Sequence, residues 1–168
     1  MNDQAEKALE IFKEIRNGDM VISMLFCNAC AQLGTNEALH LLKNNFESFS
    51  KSFYSNACFL TVLLDAFIKC DDFSSAKSLF DSIKEKTTEI YTIMMNGFNK
   101  DNQPEKTIEL FEQMIKNGMK TDLVVYLCLI KALAKIGIES FSQSMIEHIP
   151  KHLLHTDQIQ IVLVNMWV

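Results

Sequence analysis

The chain is poor in the residues that interrupt helices: its 168 residues include only five glycines and two prolines. Because both residue types destabilise helix interiors, their scarcity favours an all-α protein. Apolar residues make up 48% of the sequence, which is enough to build a core. No apolar run approaches the roughly 20 residues that a membrane-spanning helix needs, so we predict no membrane contact.

Positive charge is also scarce, since the formal net charge is −5. A protein that binds nucleic acid without sequence preference normally carries a basic face. The acidic balance therefore argues against such a protein, but it leaves room for a local basic stripe on an acidic body. The first six residues are acidic and lack the features of a signal peptide or an Arg-rich transit peptide.

Patterns typical of catalytic and metal sites are missing. The five cysteines, at 27, 30, 58, 70 and 128, form no framework and fit a reducing interior. Cys27 and Cys30 have the spacing of half a zinc site without a second pair, and their apolar neighbours predict buried structural thiols. His148, His152 and His155 cluster around a helix-breaking proline. We therefore predict no enzyme activity, no metal, no cofactor and no small-molecule substrate.

The chain does contain an internal repeat. Lys69, Lys100 and Lys135 hold the same place in three aligned segments, residues 63–69, 94–100 and 129–135, at spacings of 31 and 35 residues. A second helical pattern follows at residues 76–80 and 107–111. A period near 35 with two helices per repeat is typical of a solenoid. We predict an all-α, right-handed α-solenoid of stacked antiparallel helix pairs, with the first helix of each pair on the concave face.

The helix signals place the repeats at residues 20–56, 57–87, 88–122 and 123–157, with partial repeats at 1–19 and 158–168. First helices are expected from about Val21 to Leu33, closed by Gly34, and from near Tyr91. Pro104 is expected at the start of a second helix. The Ser-rich segment 47–55 is predicted to be a loop. On these boundaries the chain begins and ends inside a repeat.

Residues 88–122 closely resemble a pentatricopeptide repeat. Tyr91 opens the first helix, residues 109–114 read Glu-Leu-Phe-Glu-Gln-Met, and the segment ends with Gly118 and Asp122 in register. Thr121 departs from the family, which usually has proline there. The mixture of long, short and standard repeats resembles the plant-type subclass of this family. The resemblance extends over essentially the whole chain.

The resemblance implies that the chain binds single-stranded RNA, one base per repeat, through two residues of each repeat. The base-reading pairs would be Thr92 with Asp122, Thr61 with Thr87, Met24 with Asn56, and Leu127 with Asp157. Only Thr92 and Asp122 match a family code pair, which implies guanine. The chemistry fits, because a carboxylate accepts hydrogen bonds from the N–H groups of guanine's Watson–Crick edge. Met24 and Leu127 offer no hydrogen bond, so their repeats would act as spacers.

The resemblance also assigns packing and phosphate contacts. Val21, Cys58 and Val124 would pack between neighbouring bases, and Glu89 departs from the pattern at the same place. Lys69, Lys100 and Lys135 fall where the family contacts phosphate, while Gln32 holds that place in the first long repeat. Three such contacts predict a log–log salt slope of about −2 for RNA binding.

Two functional hypotheses follow. The first is an RNA-binding segment of an organellar RNA-processing or C-to-U editing factor, mitochondrial or otherwise, because arrays of this subclass often lead into a C-terminal cytidine deaminase domain. The alternative is a cytoplasmic, tetratricopeptide-like scaffold that binds proteins, which the acidic balance favours. The lysine register and the Thr92–Asp122 pair favour RNA. The apolar helix predicted at residues 159–168 also suggests self-association through that end.

Overall fold

In a computed structural model of the protein, residues 7, 10, 19–137 and 149–167 are described. Every regular element in these ranges is helical. The helices are α1 Met20–Leu33, α2 Asn36–Phe46, α3 Ala57–Lys69, α4 Phe73–Ser82, α5 Thr88–Lys100, α6 Pro104–Lys116, α7 Leu123–Ile136, α8 Lys151–Leu154 and α9 Asp157–Trp167. In this described part, no helix has the length and apolarity to cross a membrane. The helix predicted at residues 8–15, apart from Glu10, and most of the second helix of repeat 123–157 lie outside the described residues.

Polar caps and glycines set most helix ends where the sequence predicts them. The side chains of Asp19, Thr35, Asn56, Asp72 and Asp122 accept a hydrogen bond from a backbone N–H in the first turn of the following helix. Gly34 and Gly137 end α1 and α7 in the left-handed conformation, at φ 59° and 68°. Pro104 occupies the first turn of α6. The short connections between α1 and α2 and between α3 and α4 make each of these pairs antiparallel neighbours.

The chain divides into two compact parts, Met1–Ile90 and Tyr91–Val168. In the first part, α1 packs against α2 and α3, and α3 packs against α4. The core of α3 is formed by fully buried Phe59, Leu63 and Leu64. A salt bridge of 2.7 Å between Lys43 of α2 and Asp72 joins the two second helices. Burial alone would raise the pKa of Asp72, but hydrogen bonds from Lys43 and Ser75 outweigh it and lower that pKa.

The segment 47–55 is more ordered than a Ser-rich loop would be. Residues Lys51–Ser55 form a 3₁₀ helix, and the segment lies over α3. Phe49, Phe53 and Tyr54 make edge-on ring contacts with Phe59, with centroid distances of 5.4, 5.5 and 5.7 Å. The serines predicted a loop; the structure differs because the three aromatic rings in the segment pack it against the core.

In the second part, α7 packs against α6 and α9. A buried polar network connects three helices around Asn99 of α5. The Asn99 Nδ2 donates to the Cys128 carbonyl of α7 at 2.9 Å, and the Thr107 hydroxyl of α6 lies 3.0 Å from Asn99 Oδ1. The Thr107 hydroxyl is also 3.1 Å from the Met95 carbonyl. Because these groups are buried, their mutual hydrogen bonds specify how α5, α6 and α7 pack.

The start of α5 and the two thiols of α1 were also predicted from the sequence. Helix α5 begins at Thr88, one turn before the predicted start at Tyr91, because Thr87 accepts a hydrogen bond from the Ile90 N–H at 3.4 Å. Cys27 and Cys30 are fully buried, which confirms the prediction of structural thiols. Burial raises the pKa of Cys30 to about 12.

Candidate nucleic-acid interface

Each first helix presents one stripe of side chains along its length. The stripe consists of the second, fifth, ninth and thirteenth residues of the helix, which share a face because they are three or four residues apart. The four first-helix stripes are Val21, Met24, Asn28 and Gln32 on α1; Cys58, Thr61, Asp65 and Lys69 on α3; Glu89, Thr92, Asn96 and Lys100 on α5; and Val124, Leu127, Lys131 and Lys135 on α7. All of these residues except Thr92 are exposed or partly exposed. The predicted base-packing residues, the first members of the base-reading pairs and the three lysines therefore share one face of each helix.

The N-terminal end of the stripe is apolar on three of the four helices. Val21 is 60% exposed and Val124 is 48% exposed. Cys58, at the same place on α3, is the only exposed cysteine of the five. Covering such side chains with an apolar surface is favourable, because it removes apolar area from water. On α5 the place is taken by Glu89, whose own backbone N–H and the Thr87 hydroxyl hold the pKa of its carboxyl below the usual value.

The residue before each of α1, α3, α5 and α7 serves as the N-cap of that helix. Oδ1 of Asn56 and Oδ1 of Asp122 each accept a hydrogen bond of 3.0 Å from the backbone N–H three residues further on. The second polar atom of each side chain, Nδ2 of Asn56 and Oδ2 of Asp122, has no hydrogen bond within the described residues. The cap therefore fixes the orientation of the side chain and leaves one polar atom for a ligand. Thr87 differs, because its hydroxyl also bonds Glu89.

The cap register shifts one predicted base reader by a residue. Helix α9 begins at Asp157, and its first backbone hydrogen bond runs from the Gln160 N–H to the Thr156 carbonyl at 3.0 Å. The corresponding carbonyls before α1, α3 and α7 are those of the cap residues themselves. In its backbone hydrogen bond Thr156 is therefore equivalent to Asn56 and Asp122, whereas its hydroxyl donates to the Leu153 carbonyl at 2.7 Å. Asp19, which caps α1 through the Ile22 N–H at 2.9 Å, holds the same place.

The two stripe threonines differ in access. Thr92 is only 8% exposed, and the Cys128 sulfur of α7 lies 4.0 Å from its carbonyl oxygen. Burial raises the pKa of that Cys128 thiol to about 11. Thr61 is partly exposed, and its hydroxyl donates to the Ala57 carbonyl one turn back at 2.7 Å. Of the pair predicted to read guanine, Asp122 is thus the exposed member.

The three predicted phosphate-binding lysines have different local partners. Lys69 forms a salt bridge of 2.7 Å with Asp65, one turn earlier on α3. The Lys135 ammonium donates to the Asn99 carbonyl in the last turn of α5. Lys100 is exposed in that same last turn. All three lie at the C-terminal end of a first helix, where the helix dipole favours a cation.

Comparison with known proteins identifies this arrangement. A family model described as PPR repeat matches residues 59–87, and one described as PPR repeat family matches residues 86–135. A pentatricopeptide repeat-containing protein of Arabidopsis thaliana is 27% identical over 99% of this chain and 31% of its own length. Another from the same organism, named as mitochondrial, is 30% identical over 82% of this chain and 20% of its own length.

The chain belongs to the pentatricopeptide repeat family. Its fold is similar to that of the pentatricopeptide repeat protein PPR10, crystallised in complex with an 18-nt psaJ RNA element. The TM-score is 0.70 at 20% identity, with 94% of this chain and 24% of PPR10 covered. This likeness confirms the predicted all-α solenoid fold. The chain spans about a third or less of the length of these pentatricopeptide repeat relatives.

Three residues of this pentatricopeptide repeat array were missed by sequence reasoning. Asp19 holds the cap place before α1, and a polar residue directly before an apolar helix was the signal that could have found it. Asp65 and Lys131 both hold the ninth place of a stripe, one turn before Lys69 and Lys135. Each lies four residues before Lys69 or Lys135, and this spacing is visible in the sequence.

Proposed function

We propose that this chain binds single-stranded RNA through its first-helix stripes and cap residues, without catalysing a reaction itself. The observation that carries the proposal is the order of groups on the stripes. On α3 and α7 an exposed apolar side chain comes first, next to a cap residue with a polar atom available, and a lysine lies at the far end. A base needs an apolar face and a hydrogen-bonding edge, whereas a phosphate needs a cation. PPR10, which has a similar fold, was crystallised with RNA.

Each residue then has a specific role in the proposal. Asp122, with Thr92 behind it, reads guanine, while the short repeat offers Thr61 and Thr87. The other readers are Asn56 and, at the end of the fourth repeat, Thr156 in place of Asp157. The packing residues are Val21, Cys58 and Val124, and Lys69, Lys100 and Lys135 hold the phosphate-contacting place of their repeats.

For the protein as a whole we propose a role in organellar RNA processing, with C-to-U editing as its most specific form. Similar pentatricopeptide repeat proteins are named as mitochondrial or chloroplastic. The first helices begin at Met20, Ala57, Thr88, Leu123 and Asp157, at intervals of 37, 31, 35 and 34 residues. These unequal intervals support the subclass with mixed repeat lengths, in which arrays often precede a deaminase domain.

The net charge of −5 favours a second candidate, a scaffold that binds proteins. A protein partner has no need of a lysine at one fixed place on successive helices, so RNA is the better proposal. The two candidates differ in what should cover the apolar end of the stripe.

Cys58 offers a direct test because it is the only exposed thiol and lies at the proposed base-packing place. We expect single-stranded RNA of random sequence to slow the alkylation of Cys58 by a maleimide, since a base stacked there blocks the sulfur. An RNA duplex of equal length should protect far less, because its bases are already stacked. The rate is measured by mass spectrometry of the labelled protein.

A matched control places the thiol elsewhere on the same part of the chain. In the variant C58S/S78C the only exposed cysteine should lie on second helix α4, where Ser78 is exposed. RNA should leave its alkylation rate unchanged. Equal rates for Cys58 with and without single-stranded RNA, up to millimolar strand, would overturn the proposal.

We also propose that α9 mediates self-association. Ile161 and Val164 are 61% and 59% exposed and lie three residues apart on one face. Covering such a patch with a second copy removes apolar surface from water. We expect sedimentation velocity to show concentration-dependent dimers that I161E/V164E abolishes. I115E, which changes an exposed apolar residue of α6, should leave the dimers intact; a parent that stays monomeric at all concentrations would refute the idea.

A further inference from the structure

The ninth residue of the stripe lies one turn before each register lysine, and its charge differs among the four repeats. It is Asn28 on α1, Asp65 on α3, Asn96 on α5 and Lys131 on α7. Because the whole chain is acidic, attraction for phosphate depends on the local charge of the stripe, not on the net charge. A residue that changes this local charge therefore changes how strongly a repeat holds the RNA backbone.

On α3 the ninth residue cancels the register lysine. Asp65 Oδ2 lies 2.7 Å from Lys69 Nζ, and the acidic residue precedes the basic one by four positions, the favourable order on a helix. The pair has no net charge. A phosphate that approaches Lys69 must share the ammonium with a carboxylate and suffer repulsion from it. This repeat should therefore release few counterions when RNA binds.

On α7 the ninth residue adds a second cation. Lys131 is exposed, and its ammonium makes no hydrogen bond or salt bridge with the residues that the structure describes. Lys135, by contrast, already donates to the Asn99 carbonyl of α5. Lys131 is thus the better placed of the two to accept a phosphate, because it gives up no partner when it does so.

We propose that the ninth stripe residue sets the backbone affinity of each repeat: Asp65 withdraws Lys69 from phosphate binding, and Lys131 is a further phosphate-binding residue of repeat 123–157. This inference rests on the proposed RNA-binding function. It changes the distribution of phosphate contacts along the array, with repeat 57–87 contributing little and repeat 123–157 contributing most.

The salt dependence of RNA affinity tests the inference. The dissociation constant for one single-stranded RNA is measured by fluorescence anisotropy between low and moderate KCl concentrations for the full chain. We expect D65N to steepen the log–log slope by about 0.7 and K131Q to flatten it by about 0.7, the value for one contact on a single strand. At 0.1 M salt each change corresponds to about a fivefold change in affinity.

A double-mutant comparison separates unmasking of Lys69 from simple removal of a negative charge. K69Q should hardly change the salt slope when Asp65 is present. In the D65N background, K69Q should remove the steepening of the slope that D65N produces. D81N makes the same chemical change at an exposed position of second helix α4 and should leave the slope unchanged. Circular dichroism melting curves confirm that each variant folds.

The possible outcomes distinguish failure of the proposed function from failure of this inference alone. A parent that binds no single-stranded RNA overturns the proposed function together with this inference. If the parent binds RNA, but D65N has the same salt slope as D81N and K131Q has the same salt slope as the parent, the inference is overturned and the proposed function stands.

Discussion

Replacing Asp122 with Asn is expected to move the base preferred by repeat 88–122 from guanine towards adenine. Guanine presents N–H donors on its Watson–Crick edge, which suit the carboxylate oxygen Oδ2 that the cap leaves available. An amide held by the same cap presents its Nδ2 donor there instead, which suits the ring-nitrogen acceptor of adenine. A hydrogen bond to a charged group is worth roughly 1.5–3 kcal/mol, so we expect the guanine preference to fall by about tenfold or more.

The geometry at the start of α7 should allow D122N to change base specificity without changing folding stability. Asp122 also caps the helix through the Val125 N–H at 3.0 Å, and Asn caps as well as Asp does. Folding stability should therefore stay nearly constant while specificity changes. D122A should lose the discrimination and also about 1 kcal/mol of stability, because it removes the cap.

The measurement uses four RNAs that differ at one position, with affinities determined at fixed salt. D19N is the matched control, because Asp19 caps α1 with the same geometry but belongs to another repeat. It should leave the ranking of bases at the Asp122 position unchanged. If D122N ranks the four bases as the parent does, Asp122 is a helix cap and not a base reader.

The sequence predicted several helix ends well because the signals are local. The N-cap residue at the start of a helix and the glycine or lysine at its end lie about a dozen residues apart. Such signals can be recognised in a short stretch of sequence. Gly34 and Pro104 accordingly mark helix ends where predicted. The one-residue shift from Asp157 to Thr156 arose because both residues are acceptable caps, and only the backbone hydrogen bond distinguishes them.

Features that depend on distant contacts could not be read in this way. The burial of Thr92 follows from α7 packing over α5, which brings the Cys128 sulfur to its carbonyl. The bond from Lys135 to the Asn99 carbonyl joins residues 36 positions apart. The Asp65–Lys69 pair is different, since its four-residue spacing on one helix is visible in the sequence.

The polar network around Asn99 connects packing to recognition. It joins α5, which carries Thr92 and Lys100, to α7, whose cap is Asp122. Because Asn99 donates to the Cys128 carbonyl while Lys135 donates to the Asn99 carbonyl, the two helices are tied along their length. The position of Asp122 relative to Thr92 is therefore fixed by the buried core of this part of the chain before any ligand arrives.

Phe59→Ala is expected to be the most destabilising single change in the first part of the chain. Phe59 is fully buried, and truncating such a ring in a core typically costs about 3–5 kcal/mol. Here the ring also anchors Phe49, Phe53 and Tyr54, so its loss should release segment 47–55 from α3. Urea denaturation should show the lower free energy of unfolding, and limited proteolysis should show new cleavage in 47–55.

Phe53→Ala, at the partly exposed rim of the same cluster, should lower the free energy of unfolding clearly less. Because Cys58 precedes Phe59 on α3, the loosened helix should also lose RNA protection of its thiol in Phe59→Ala but not in Phe53→Ala. An equal loss of stability in the two variants would mean that the cluster packs as independent rings, with no central member.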